Sequence, residues 1–175
     1  MTTDIVPVLL GADLNCYGVA RAFFEKYGVV SHAFGKYPLG VTDKCKFIKF
    51  TSVPDLSDYA VADRILLDFA KEQKGKKLYI VGCTDEYAEY IIERQDTLKE
   101  YYFVSVVDKE KKDILINKES FYALCEEYSL PYPKTKVIKH GEKNIFGIFY
   151  SRKSRIFLSH SRKAVVVDKL LETPV

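Results

Sequence analysis

The feature that most constrains this chain is an alternation along its first half: a short apolar run, a glycine or turn, then apolar residues at helical spacing. Ile5–Leu10 (Ile-Val-Pro-Val-Leu-Leu) ends at Gly11 and reads as a buried strand. Cys16–Tyr27 places Val19, Ala20, Phe23, Phe24 and Tyr27 at helical spacing, and Gly28 stops it. Val29–Phe34 reads as a second strand, and Phe47, Ile48 and Phe50 suggest a third. Ser57–Lys74 predicts a long amphipathic helix with Ala62, Ile65, Leu66 and Phe69 among the residues on its inner side. Leu78–Val81 is a fourth strand ended by Gly82, and Thr84-Asp85-Glu86 opens a helix over Tyr87–Arg94. Tyr102–Val107 suggests a fifth strand, and Asn117–Tyr128 a helix closed by Pro131 and Pro133. Valine-, isoleucine- and leucine-rich strands alternating with helices predict a mostly parallel sheet covered on both faces. Pro7 is the one objection, because proline inside a sheet belongs on an edge strand.

Composition narrows the classes. A chain of 175 residues with 47% hydrophobic and 29% charged residues can bury a core without staples. Apolar runs such as Ile5–Leu10 and Ala164–Val167 fall far short of the roughly 20 residues of a spanning helix. The opening Met1-Thr2-Thr3-Asp4 has no basic start and apolar stretch, so neither a membrane nor a secreted location is expected, and the cytoplasm is. The four cysteines (Cys16, Cys45, Cys83, Cys125) form no Cys-x-x-Cys pair and read as small buried hydrophobes in a reducing compartment. The alternative, a catalytic thiol, fits Cys83 best, at the end of a predicted strand. His32, His140 and His160 join no cluster with metal-ligand spacing, so no metal site is predicted.

Ligands of open α/β sheets bind beyond the carboxyl ends of the strands. Two such ends carry suggestive residues. In Gly11-Ala12-Asp13-Leu14-Asn15, glycine permits a tight turn and the helix start offers backbone N–H groups to an anion. Gly82-Cys83-Thr84-Asp85 repeats the plan of strand, glycine, polar cap and helix. Neither is a dinucleotide fingerprint or a P-loop. Asn15, Thr84 and Asp85 read first as helix caps, with ligand contact as the alternative.

The segment that decides the reading is Asn117-Lys118-Glu119-Ser120-Phe121-Tyr122-Ala123-Leu124-Cys125, followed by Ser129-Leu130-Pro131-Tyr132-Pro133-Lys134-Thr135. A capped amphipathic helix explains its first part but not the Pro-x-Pro-x-Thr exit. The segment resembles the lead-in of the ATP-grasp ligases, which joins their N-terminal domain to their ATP-binding domain. Val8-Leu9-Leu10-Gly11-Ala12-Asp13-Leu14-Asn15 with Tyr17-Gly18-Val19-Ala20-Arg21-Ala22-Phe23, and Val81-Gly82-Cys83-Thr84-Asp85-Glu86-Tyr87, are similar to the same family. The likeness is to its carboxylate–amine branch, related to D-aspartate ligases and the carbamoyl-phosphate synthase large chain, and it covers about residues 5–138.

The resemblance implies a Rossmann-like, three-layer α/β pre-ATP-grasp domain over residues 4–116, then a lead-in helix and first strand over 117–138. It implies ATP and magnesium as the full-length family's cofactors, and a small-molecule carboxylate or amine as substrate. In that chemistry a carboxylate becomes an acyl phosphate that an amine attacks, which requires cations to neutralise the transferring phosphoryl group. Lys118 matches the lysine that contacts ATP in some members, though a solvated first-turn lysine explains it as well. Gly11, Asp13 and Asn15 match the loop facing the acceptor, and Gly82, Thr84 and Asp85 the second such loop. The phosphate-binding lysine strand and the magnesium-binding acidic residues find no match after Thr135, so no catalytic residue is assigned.

The tail departs from the family. Residues 139–175 carry eight Lys and Arg against three Asp and Glu, whereas residues 1–138 carry 19 against 21. Ser151-Arg152-Lys153-Ser154-Arg155 and Ser159-His160-Ser161-Arg162-Lys163 lack an apolar period, so this basic tail is expected to be degenerate and to pack poorly. Nucleic-acid binding wants basic residues spread over a folded face with stacking aromatics between them, and a solvated end explains this tail better, so no nucleic-acid partner is expected. The shift in composition suggests a truncated or frame-shifted ligase, inactive on its own. The alternative is a non-catalytic binding module of the same fold, presenting its two strand-end loops to a small ligand or protein.

Overall fold

The computed structural model describes residues 4–132, except for the Lys118 side chain, and the strand backbones 135–138, 155–158 and 164–167. The chain divides into two compact units, Met1–Lys109 and Glu110–Val175.

The first unit is the α/β domain expected from the alternation. Its order is β1 (Ile5–Leu10), α1 (Leu14–Tyr27), β2 (Ser31–Gly35), β3 (Ile48–Ser52), α2 (Tyr59–Glu72), β4 (Lys77–Gly82), α3 (Asp85–Leu98) and β5 (Tyr102–Val104). The five strands form one parallel sheet in the order β3-β2-β1-β4-β5. β1 is central, and Val8, Leu9 and Leu10 are wholly buried, which explains why its sequence is apolar throughout rather than alternating.

Pro7 therefore sits in a central strand, against the expectation of an edge, and the register shows why it is tolerated. Gly11 N–H donates to Phe34 O of β2, while Leu10 O accepts from Cys83 N on the β4 side. The two-residue alternation turns the backbone of residue 7 toward β2, and β1–β2 pairing starts only at Val8. The missing donor thus falls where the ladder has not begun.

The two faces of the sheet bury separate clusters. Val8, Leu10, Phe34, Leu78 and Ile80 pack with Ala62, Leu66 and Ala70 of α2 and Tyr87, Tyr90 and Ile91 of α3. Leu9, Ala33, Phe47, Ile48 and Cys83 pack with Cys16 and Ala20 of α1. Hydrogen bonds cross the first interface: Tyr102 OH donates to Leu66 O at 2.6 Å, and Tyr90 OH to Asp63 at 2.8 Å. Burial, reinforced by Asp63, pushes the Tyr90 phenol well above its ordinary range, so it stays a donor.

Helix ends follow the sequence closely. Asp13, Asp58 and Thr84 are the N-caps of α1, α2 and α3. Gly28 ends α1 in the left-handed conformation, φ 67°, with its N–H on Phe24 O. α3 runs on to Leu98, past the predicted Arg94, because Gln95 and Leu98 are also buried.

The second unit contains α5 (Lys118–Glu127), capped by Asn117, whose side chain accepts from Glu119 N–H. Before it, α4 (Lys109–Ile116) begins at the boundary and buries no residue. β6 (Thr135–Ile138), β7 (Arg155–Leu158) and β8 (Ala164–Val167) form an antiparallel sheet in the order β6-β8-β7. The tail, read from sequence as lacking an apolar period, thus contributes two strands, and β6 pairs with 164–167. The rest of 139–175, including the basic serine-rich clusters outside β7, lies outside the described residues. No helix among the described residues is long and apolar enough to cross a membrane.

Candidate functional site

The strand order fixes where a ligand would sit. β1 leads by α1 to β2 on one side, and its other neighbour, β4, leads by α3 to β5 on the opposite side. The chain therefore switches direction between β1 and β4, and the loops leaving their carboxyl ends flank that crevice. These are the two loops singled out in the sequence, Gly11–Asn15 and Gly82–Asp85. Asn15 joins them directly: its Nδ2 donates to Cys83 O at 3.2 Å and lies 3.2 Å from Asp13 Oδ2.

Each predicted residue has a definite local task. Gly11 holds φ 140°, a conformation that favours glycine, and lets the chain turn sharply out of β1. The Asp13 carboxylate accepts from the N–H groups of Asn15 and Cys16, each at 3.1 Å. This corrects the sequence reading of the first loop in two respects. The cap is Asp13 rather than Asn15, and the N–H groups offered to an anion are occupied by the protein's own carboxylate.

At the second loop, Thr84 Oγ1 accepts from Tyr87 N–H at 3.4 Å, and Asp85 is the first residue of α3. Gly82 serves packing: a Cβ there would lie 2.5 Å from Ala88 N, inside the backbone of α3. Lys118 opens α5 in the second unit, and its side chain lies outside the described residues.

A third loop, which the sequence reading passed over, completes the edge. Between β2 and β3 the chain folds back so that Thr42 is fully buried. Its Oγ1 lies 3.0 Å from Ala12 O and 3.1 Å from Leu39 O, and accepts from Leu39 N–H at 3.2 Å. This one hydroxyl ties the β2–β3 loop to the β1–α1 loop. Between them opens a shallow cleft of about 630 Å³, lined by Asp13, Leu14, Asn15, Leu39, Gly40 and Val41. Pro38 and Gly40 in a long connection at the ligand-bearing edge were the available sequence signal.

The charge of the edge is mainly acidic. Asp13 belongs to the cleft, and Asp85 and Glu86 occupy the first turn of α3. Glu86 accepts from the Ser57 hydroxyl and pairs with Lys36 at 3.7 Å. Such an edge favours an ammonium group, and an anion at the start of α1 would have to displace Asp13. Among the described residues, no group of three or more His, Cys, Asp or Glu side chains is placed to hold a metal ion.

Comparison with curated proteins gives a strong match. The chain is 39% identical over 139 residues to a D-aspartate ligase of Enterococcus faecium (strain Aus0004). That match takes in 78% of this chain and 33% of the ligase, so the chain spans about a third of that relative's length. No family model matches the chain. Among solved structures, the phosphoribosylaminoimidazole carboxylase ATPase subunit from Aquifex aeolicus overlays with a TM-score of 0.48 at 11% identity, covering 96% of this chain and 43% of that one. By sequence, the chain is a relative of the ATP-grasp ligases, and what it shares with them is an N-terminal domain.

Proposed function

We propose that this chain is the acceptor-side domain of an ATP-dependent, carbon–nitrogen-bond-forming ligase, and that its strand-end edge, at the loops leaving β1 and β4, receives the small substrate. The observation that carries the reading is the 39% identity with a D-aspartate ligase over 139 residues. D-Aspartate is accordingly the first candidate ligand, and its ammonium group suits the carboxylates of Asp13, Asp85 and Glu86. Asp13 and Asn15 contact the ligand from the first loop and Thr84 and Asp85 from the second, while Gly11 and Gly82 allow the loops their close approach. The reaction is activation of a carboxylate as an acyl phosphate and attack by an amine, in the cytoplasm, with ATP and magnesium supplied to the complete catalytic unit.

This chain alone does not perform that reaction. Its sequence offers Lys118 as the one matched ATP contact, and a single cation is a small part of a phosphate site. Calorimetry with D-aspartate and with succinate, which lacks the amine, tests the acceptor role. D-Aspartate should bind and succinate should bind at least several-fold more weakly; equal or absent binding of both rejects the role. Incubation with ATP, magnesium and D-aspartate should release no ADP. Magnesium-dependent release that Lys118→Ala abolishes would overturn the inactivity.

A further inference from the structure

The acidic strand-end edge leaves one charge of its ligand unmatched. D-Aspartate carries two carboxylates against one ammonium, so Asp13, Asp85 and Glu86 without a cation repel it. Lys36 supplies that cation. It directly follows β2, and its backbone is fixed from β3: Val53 N–H donates to Gly35 O at 2.8 Å, and Ser52 Oγ to Lys36 O at 2.7 Å. Gly35 packs against the first loop, since a Cβ built there would lie 3.2 Å from Gly11 O. The Lys36 side chain therefore starts from a fixed point beside the turn that ends β1.

Lys36 Nζ lies 3.7 Å from Glu86 Oε1. β2 and β4 are the two neighbours of β1, and Glu86 stands in the first turn of α3, just after β4. The ion pair thus crosses the carboxyl end of β1, at the crevice between the two loops. It is built to exchange. Its separation is beyond hydrogen-bond reach, and the same Glu86 oxygen already accepts from the Ser57 hydroxyl. Among the described residues Lys36 Nζ has no other partner, so its N–H donors await an acceptor. The two side chains are 42% and 54% exposed, and an exposed pair of this kind is weakly held.

Resting on the substrate reading above, we propose that Lys36 is the specificity-determining residue of this edge. Its ammonium leaves Glu86 and binds the second carboxylate of the ligand, so the edge selects an acidic amino acid over the uncharged amide. The layout orients such a ligand. Ser57, just before α2, reaches the Glu86 oxygen that Lys36 faces, which puts Lys36 on the α2 side of the sheet edge. Asp13 caps α1, whose residues pack on the opposite face. A ligand lying across the edge has its ammonium at Asp13 and its far carboxylate at Lys36.

Calorimetry on the whole chain with D-aspartate and D-asparagine, its uncharged isostere, is the test. The wild type should bind D-aspartate about tenfold more tightly, the scale of a charge-assisted hydrogen bond. Lys36→Met should weaken D-aspartate about tenfold and D-asparagine less than about twofold, so that the preference disappears, and Lys36→Arg should keep most of it. Binding of D-asparagine by Lys36→Met also reports that the variant is folded. In the unmutated chain, the Lys36 Cε resonance should move with D-aspartate and stay in place with D-asparagine. Equal wild-type affinities, equal losses of the two ligands in Lys36→Met, or a Cε resonance unmoved at saturation would overturn the proposal. D-Aspartate binding undiminished in Lys36→Met overturns it while leaving the substrate reading intact. A wild-type chain that binds neither ligand rejects that reading, and the role of Lys36 with it.

Discussion

Gly82→Ala should be among the most damaging single-methyl additions in the α/β domain. The added Cβ would lie 2.5 Å from Ala88 N, 2.7 Å from Tyr87 C and 2.8 Å from Ala88 Cα. All three are backbone atoms of α3, so no side-chain rotation relieves them. Ordinary contact is about 3.5–4.0 Å, so α3 has to retreat by about 1 Å or β4 has to buckle. That movement disturbs the packing of Tyr87, Tyr90, Ile91, Ile92 and Leu98, all buried on α3. Position 82 is not in the left-handed region, so the penalty is steric rather than conformational. Overpacking costs about 1–3 kcal/mol where side chains can yield, and rigid backbone puts this case near about 3 kcal/mol. For a unit of this size that corresponds to a fall in melting temperature of about 10 °C.

Gly18→Ala is the control. Gly18 lies inside α1 with nothing within 4 Å of its would-be Cβ, so the same change should stabilise by about 0.5–1 kcal/mol. Thermal and urea melts followed by circular dichroism measure both variants. A Gly82→Ala chain as stable as the parent, or ranking above Gly18→Ala, would refute the steric account.

The other predictions concern the loops and one histidine. Asp13→Ala removes the cap of α1 and should cost about 1 kcal/mol in urea denaturation, with Asp13→Asn recovering most of it; equal losses would reject the capping role. Thr42→Val leaves the Leu39 N–H without its acceptor and should cost about 1–3 kcal/mol, with faster hydrogen exchange at Leu39; unchanged exchange would mean the hydroxyl does not hold the loop. His32, in β2 against the Phe69 ring, is held below its ordinary pKa of 6.5, first by burial and then by Lys49. The unfolded chain therefore binds this proton first as pH falls. The stability held by neutral His32 is complete above about pH 6.5 and is lost as pH drops toward the lower folded value. Urea midpoints at pH 7.5 and pH 5.5 should show a drop that His32→Asn diminishes, and an identical drop in that variant would remove His32 as its source.

Much of this architecture is legible in the sequence because local and global signals agree. Gly11 and Gly82 punctuate strands that lead into capped helices, and the apolar runs of β1 and β4 announce burial on both faces. The misreadings have physical causes. Gln95 interrupts the apolar period of α3, yet it is buried and satisfied, with Nε2 on Ile92 O and Oε1 accepting from Lys99, so the helix continues. α4, with Lys109, Lys111 and Lys112 and no buried residue, has no apolar face for a periodicity to reveal. Pro7 argues against a central strand until the register shows which neighbour its nitrogen faces.

The site was half legible. Its two flanking loops follow from strand ends and glycines, but the third loop depends on Thr42, one hydroxyl whose partners lie at Ala12 and Leu39. Nothing in a lone threonine distinguishes it from a surface residue. The capping role of Asp13 was likewise hidden by its neighbour Asn15, which has an equal claim to the cap by composition.

The central claim, that the edge between β1 and β4 receives the amine-bearing substrate, is tested most directly by nuclear magnetic resonance titration of the chain with D-aspartate. The account predicts saturable shifts of the amides of Asp13–Cys16, Leu39–Thr42 and Thr84–Asp85, with succinate at the same concentration leaving them in place. Shifts confined to other parts of the sheet, or none at saturating D-aspartate, would contradict it.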